Sequence, residues 1–418
     1  MAPLTRSRAR IARAGAAAAM LGPLLVALGA CVGGPDAPRA VRNAPPPQAD
    51  LAPPVDPAPG GPVSAGSAGT KIGNGPVKLA LVLPLTGQGA VLGAAMRNAA
   101  ELAYDESQAP DLQILVKDDR GAPDGAREAA QAAVSEGADI LLGPLFAANV
   151  QAAAVPARNA GKPVVAFSTD ATVAARGIYL LSFLPQAEVD RVVEEAVAGG
   201  RRSFAALIPE TAYGNAVEAQ FREAVSRKGA RLAGIERYPA GAPGPAIERL
   251  AGVITGPAAQ ADTLFIPETA DGLAVVAGAL TKAGFSPARV RPVGTALWNE
   301  PRLFALPALQ GGRFAAPDPA GFSAFASRYQ ARFGASPPRV AALAYDAVSL
   351  SVALNRQYGS QRFAEGTLTK AGGFAGIDGT FRFRADGLTD RSLAVYEIRN
   401  NGATIVGPAP RALAKSGT

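Results

Sequence analysis

From residue 77 onward the apolar positions fall into two alternating rhythms. Residues 77–83 (Val-Lys-Leu-Ala-Leu-Val-Leu) form an almost unbroken apolar run ending at Pro84, the pattern of a buried strand. Residues 90–105 then place Val91, Leu92, Ala95, Met96, Ala99, Leu102 and Ala103 at helical spacing. The alternation continues with a strand at 112–116, a helix at 124–136, a strand at 140–142, a helix at 147–159 and a strand at 164–167. A second series runs through strand 204–208, helix 215–228, strand 231–238, helix 245–255, strand 263–266, helix 272–283 and strand 291–294. Helices around 321–333 and 340–358 follow. The chain closes with 379–383, a turn at Asp386-Gly387, and 393–399. Phe381 and Phe383 alternate with polar residues, so this ending predicts a hairpin. Regular strand–helix alternation predicts right-handed βαβ units around parallel sheets. Two series of similar size predict two α/β lobes, and the cleft between lobes is a usual place for a small-molecule site.

The pattern before residue 77 is of another kind. Arg6, Arg8, Arg10 and Arg13 precede an apolar run over 16–30, which closes on Leu28-Gly29-Ala30-Cys31. A basic start, a short apolar centre and small residues before a cut make an export signal. The run is too short and too alanine-rich for a membrane span. A cysteine directly after Leu-Gly-Ala resembles the lipobox of bacterial lipoproteins. That resemblance implies that residues 1–30 are a cleaved signal peptide and that Cys31 is acylated, tying the chain to a membrane by lipid. Residues 31–76, with Pro45-Pro46-Pro47 and Gly60-Gly61-Pro62 and few large apolar residues, cannot build a core. They read as a tether that reaches on the order of 100 Å when stretched. Order is expected to begin at Val77, and residues 408–418 read as a tail.

Composition narrows the chemistry. The 418 residues include one cysteine and no histidine. No intramolecular disulfide can form, and Ser-His-Asp, Cys-His and histidine-metal sites are excluded. No Asp-x-Asp-x-Asp-Gly loop and no Ser-x-x-Lys motif occurs. The sequence thus points to no metal and no cofactor. The formal charge of +7 owes four arginines to the leader; without residues 1–30 the balance is 37 basic against 34 acidic residues, or +3. No Lys/Arg run longer than a pair follows Arg13, so nothing suggests a nucleic-acid partner.

Several short words mark the alternating segments. Leu83-Pro84-Leu85-Thr86-Gly87 follows the first strand, Asp118-Asp119 closes the second and Gly143-Pro144 the third. Ala212-Tyr213-Gly214, Ala344-Tyr345-Asp346-Ala347 and the run from Phe374 to Phe383 come later. In this order and spacing the set, over residues 77–407, resembles the leucine/isoleucine/valine-binding type of periplasmic binding protein. The resemblance implies a type I fold: two α/β lobes, each a doubly wound, mainly parallel sheet, joined by three crossover strands, with ligand held by hinge closure. The crossovers are expected near Pro185, Val293 and Gly373. That assigns 77–185 and 294–373 to the first lobe, and 186–293 and 374–407 to the second. A competing word, Gly87-Gln88-Gly89-Ala90-Val91-Leu92-Gly93, looks like a relaxed dinucleotide-binding loop, with Asp118 or Asp119 about where a ribose acid would stand. Its glycine spacing departs from that motif, and the export signal argues against a nicotinamide cofactor.

In such sheets ligands meet the carboxyl ends of strands and the N-termini of helices, which suit a carboxylate. The candidate positions are Thr86 to Ala90, Phe146 to Asn149 and Ser168 to Thr172. By resemblance, Ala147 occupies the place of a hydroxyl residue that helps hold an α-carboxylate. Thr172 matches a family threonine, and Tyr213 matches a family aromatic. The acid that holds the α-ammonium falls near Ala296, which cannot do that work. Asp170 or Glu268 is therefore expected to substitute, since a buried ammonium needs a partner. Asp170 reads equally as a turn or cap residue, Glu268 as a solvated loop acid, Tyr213 as lobe-edge packing and Trp298 as either cleft floor or hinge filler.

Two functions compete. One, the main reading and the one the fold resemblance favours, is a non-enzymatic receptor that presents a small amino-acid-like molecule to an ABC permease. The other is an outer-membrane lipoprotein that activates a penicillin-binding protein. The long tether, Val32 rather than Asp after the cysteine, and the incomplete zwitterion contacts favour the second. Val32 also favours an outer-membrane over an inner-membrane anchor where the host has two membranes. Fold alone does not separate the two functions.

Overall fold

The computed structural model describes residues 71–413; Cys31, the leader, residues 31–70 of the tether and residues 414–418 lie outside them. The first lobe is built from β1 (Lys71–Ile72), β2 (Val77–Leu83), α1 (Ala90–Ser107), β3 (Leu112–Asp118), α2 (Pro123–Ser135), β4 (Ile140–Leu142), α3 (Ala147–Asn159), β5 (Val164–Ala166) and β6 (Ile178–Leu180). Its sheet order is β1-β3-β2-β4-β5-β6, parallel except for β1. The continuous apolar run of β2 is explained by its central place. Leu79, Leu81 and Leu83 face one core cluster with Met96 of α1, while Ala80 and Val82 face the other, with the alanines of α2 and α3. The expected start at Val77 is corrected by β1, which borders β3 antiparallel through Lys71 and Ile72. Six residues assigned to the tether thus belong to the ordered part, and β1 is too short to show a pattern.

The second lobe holds α4 (Pro185–Ala198), β7 (Ser203–Pro209), α5 (Ala212–Arg227), β8 (Arg231–Tyr238), α6 (Gly244–Ile254), β9 (Thr263–Phe265), α7 (Ala270–Lys282), β10 (Arg291–Gly294) and β11 (Arg313–Ala316). The chain then returns to the first lobe as α8 (Pro319–Phe333) and α9 (Ala341–Tyr358), which pack on α1. A small antiparallel sheet of β12 (Phe374–Gly376), β13 (Gly379–Phe383) and β14 (Thr389–Arg391) follows. Last come β15 (Ala394–Arg399) and β16 (Gly402–Gly407), which complete the second sheet in the order β16-β15-β11-β10-β9-β7-β8. Strands β11, β10, β9, β7 and β8 run parallel. Phe204, Ala206 and Ile208 of β7 meet α4 and α5, and Ala205 and Leu207 meet α6 and α7.

Two crossings lie later in the chain than the sequence suggested. Residues 294–316 stay with the second lobe, because β11 pairs with β10 and Leu303, Phe304, Leu309 and Phe314 fill that lobe's core. The return therefore falls at Pro317 and not near Val293. Phe374, Phe381 and Phe383 pack in the first lobe's core, so the last crossing falls at Ser392-Leu393 and not near Gly373. The hairpin around Asp386-Gly387 forms between β13 and β14. The segment expected to be its second arm, 393–399, instead pairs with β11 as β15. Five of the six residues of β15 are buried, so it needs a sheet covered on both faces. The two late words meet at this junction: the Asp346 carboxylate on α9 accepts the Ile377 amide at 2.8 Å, and Asp378 pairs with Arg339.

Candidate functional site

The carboxyl ends of the parallel strands form a rim on each lobe. On the first lobe Asp118, at the end of β3, organises the loop after β2. Its carboxylate accepts the amides of Leu85 (2.9 Å) and Thr86 (3.2 Å), the Thr86 hydroxyl (2.6 Å) and the Arg120 amide (2.8 Å). Burial opposes ionisation, but the bonds from Thr86, Arg120 and Leu85 outweigh it and hold this carboxyl below its ordinary value. Asp118 is therefore occupied by its own loop, and the ribose role of a dinucleotide fold is not open to it. Gly89, at φ 85°, lets α1 start under the Phe146 ring; a Cβ there would stand 2.7 Å from that ring. Phe146 opens α3 in extended conformation with no side-chain cap, so the first turn of α3, from buried Ala147, is free to donate to a ligand.

After β5, Asp170 accepts the Thr172 amide at 2.9 Å and hydroxyl at 2.7 Å, and its own amide donates to Ser168 Oγ at 3.1 Å. Asp170 is thus the cap of a short 3-10 turn over Ala171–Val173, and Thr172 is its partner. Thr86, Phe146 and Asp170 have no hydrogen bond to Glu188, Tyr213 or Glu268 of the other rim among the described residues.

The second rim carries buried charge. Thr211 caps α5 through the Gly214 amide, which sets Tyr213 at the helix start, and the Tyr213 hydroxyl donates to buried Thr295 Oγ1 at 2.8 Å. Beside it, Oε2 of Glu188 accepts the amide of Ala296 at 2.9 Å. Glu188 lies in the first turn of α4 and is 9 % exposed. Burial pushes its carboxyl up to about 7 against that one amide bond. The Tyr213 hydroxyl is raised well above its ordinary value by burial first, then by Glu188 and Glu268. The sequence reading missed Glu188. The visible signal was an acid beside Val189, Val192 and Val193 on a face that is otherwise apolar.

Glu268 corrects the expectation of a solvated loop acid. It is buried; Oε2 accepts the Tyr238 hydroxyl at 2.6 Å, while Oε1 accepts the Thr269 amide at 2.7 Å and hydroxyl at 3.1 Å. Burial, then the Glu268 carboxylate, raises Tyr238. Trp298 fills the core of the second lobe. It is fully buried there, donates its indole N–H to the Ile266 carbonyl at 3.0 Å, and covers Gly294, where a Cβ would stand 2.1 Å from the ring. Among the described residues no group of three or more acidic side chains could hold a metal ion, and no helix is long and apolar enough to cross a membrane.

Two α/β lobes of mostly parallel strands, linked by crossings of the chain, define the type I periplasmic binding architecture. A family model described as periplasmic binding protein matches residues 76–403, and the chain belongs to that family. Among solved structures, a branched-chain amino acid ABC transporter protein from Rhodospirillum rubrum is 22% identical with a TM-score of 0.68, covering 79% of this chain and 99% of its own. A solute-binding protein from Rhodopseudomonas palustris, solved with 3,4-dihydroxybenzoic acid, is 18% identical with a TM-score of 0.52, covering 80% and 96%. A branched-chain amino acid transporter substrate-binding protein from Streptococcus pneumoniae, solved with isoleucine, is 19% identical with a TM-score of 0.51, covering 79% and 99%. At these identities the likeness is one of fold. No curated protein matches the sequence.

Proposed function

We propose that the protein is the solute receptor of an ABC importer, working in the periplasm and holding a small amine-bearing, amino-acid-like molecule between its lobes without altering it. The observation that carries this reading is the Glu188 carboxylate on the Ala296 amide, 2.9 Å away. The family's ammonium-binding acid falls near Ala296, and Glu188 brings a carboxylate to that position from a different element. Tyr213 and Thr295 stand beside it. The uncapped start of α3 supplies donors for the α-carboxylate, with Phe146 and Thr86 on the same rim.

Two of the solved relatives hold isoleucine and an aromatic acid, which share a carboxylate and differ in the amine. Calorimetry with isoleucine and with benzoate, from about pH 6 to about pH 8, separates these ligand types. An ammonium favours ionised Glu188, so its affinity should fall as pH drops below about 7. A carboxylate without an amine favours protonated Glu188, and its affinity should fall as pH rises above that value. A flat thermal response across amino acids, aromatic acids, amides and small peptides sinks the receptor reading.

We further propose that the mature chain starts at an acylated Cys31 and hangs on the tether from the outer membrane, as Val32 suggests. Mass spectrometry of the exported protein should find a diacyl or triacyl N-terminus. Glu188 weakens the case for a regulator of a penicillin-binding protein, which rested partly on missing zwitterion contacts. Pull-down of a peptidoglycan synthase together with a flat ligand screen would restore that case.

A further inference from the structure

At the opposite edge of the second sheet from its ligand rim lies a cavity of about 430 Å³ with an unusual charge. Arg291 opens β10 and Arg313 opens β11, so both sit at strand N-terminal ends, away from Thr295 and Glu268. Arg201 and Arg399 complete a lining that holds four arginines and, as its one acid, Glu397. The charges are unevenly matched. Arg313 pairs with Glu397 (2.7 Å) and with Glu195, and Arg399 also pairs with Glu397. Arg201 donates to the backbone carbonyl of Asp262 at 2.9 Å. The Arg291 backbone amide donates to the Asp262 carbonyl at 3.0 Å, but its guanidinium has no hydrogen bond or ion pair among the described residues. Burial first, then Arg313 and Arg201, makes its charge harder to hold, and Glu195 and Glu397 offset this only in part.

A half-buried guanidinium facing like charge is costly unless something neutralises it. Its planar fork suits a tetrahedral oxyanion bidentately. The excess positive charge of the lining is better met by a dianion than by a monocarboxylate. We propose that this cavity is an oxyanion site of phosphate type, served chiefly by Arg291 with Arg399 and Arg201, for a free phosphate or a phosphorylated headgroup. It is separate from the solute cleft and does not depend on the receptor reading.

The test titrates inorganic phosphate into the full chain at constant ionic strength, with chloride as control. In parallel, the full chain carrying Cys31→Ser, which no acyl group can bring to a bilayer, is sedimented with phosphatidylglycerol or phosphatidylcholine vesicles. Saturable phosphate binding that Arg291→Gln weakens about tenfold or more supports a soluble anion. Preference for phosphatidylglycerol that Arg291→Gln abolishes supports a lipid headgroup. Without phosphate, Arg291→Gln should melt no lower than wild type, because it removes like-charge repulsion. Should it melt lower, Arg399→Gln, whose side chain is 67% exposed, carries the same test with a few-fold expected loss. Absence of binding to either probe beyond the controls, or an Arg291→Gln chain that binds as tightly as wild type, overturns the proposal.

Discussion

The two rims are built from the same strand-end geometry but handle charge in opposite ways. On the first lobe, Asp118 and Asp170 spend their carboxylates on loop amides and hydroxyls, and Asp118 is held ionised by them. On the second lobe, Glu188 is buried with one amide bond and raised to about 7. A carboxylate fully satisfied by its own loop shapes the site, whereas one left short of partners can respond to a ligand. The first rim therefore leaves helix-start N–H groups without a side-chain cap, and the second leaves a carboxylate with a single amide partner.

The sharpest way to break this contrast is Glu188→Gln. Affinity for an amine-bearing ligand should drop roughly 100-fold or more, as for any buried ion pair that loses one partner. Calorimetry that finds unchanged affinity would move the charge elsewhere. The same variant tests the cost of that charge. Glu188 has its carboxyl raised from 4.5 to about 7, so stability is full below the lower value, is lost as pH rises through the interval, and stays low above it. Glu188→Gln should then stabilise the unliganded protein by roughly 3 kcal/mol above pH 7 and by almost nothing near pH 4 in urea unfolding.

Tyr213→Phe removes the bond to Thr295 and leaves that hydroxyl buried; affinity should fall roughly fivefold to tenfold, with the pH profile unchanged. On the first rim, Asp118→Asn should cost no more than about 1 kcal/mol, because the site is largely solvated. Its lowered carboxyl stabilises above its ordinary value, so the cost should vanish as pH falls through the folded-state value. Asp170→Ala should have the smallest effect on amine binding, roughly threefold or less, since its hydrogen-bond partners are Thr172 and the local turn. A larger loss in titration would give Asp170 the ammonium-binding role proposed for Glu188.

Much of the fold was readable because burial on both faces is a local property of a strand. Val77–Leu83 and Ser203–Pro209 lie in the sheet interiors that their apolar runs imply. The crossings near Val293 and Gly373 were displaced because only their pairing neighbours decide which sheet takes β11 and β15. Among candidate residues, Tyr213 was expected from the resemblance alone, and it stands on the second rim against Thr295. Trp298 and Glu268 were visible as residue types, but their burial was not.

By itself the sequence determined the alternation of elements, the two α/β series and the absence of histidine chemistry, since each follows from residue types or from spacing within one turn or strand; the family followed from the resemblance of its ordered words. Tertiary structure alone decided that Glu188 reaches Ala296 across 108 residues, and that Arg201, Arg291, Arg313 and Arg399 line one cavity. Such meetings depend on how whole sheets stack and cross. A group's charge state follows from the neighbours those crossings bring, so the chemistry of the second rim became legible only in the folded chain.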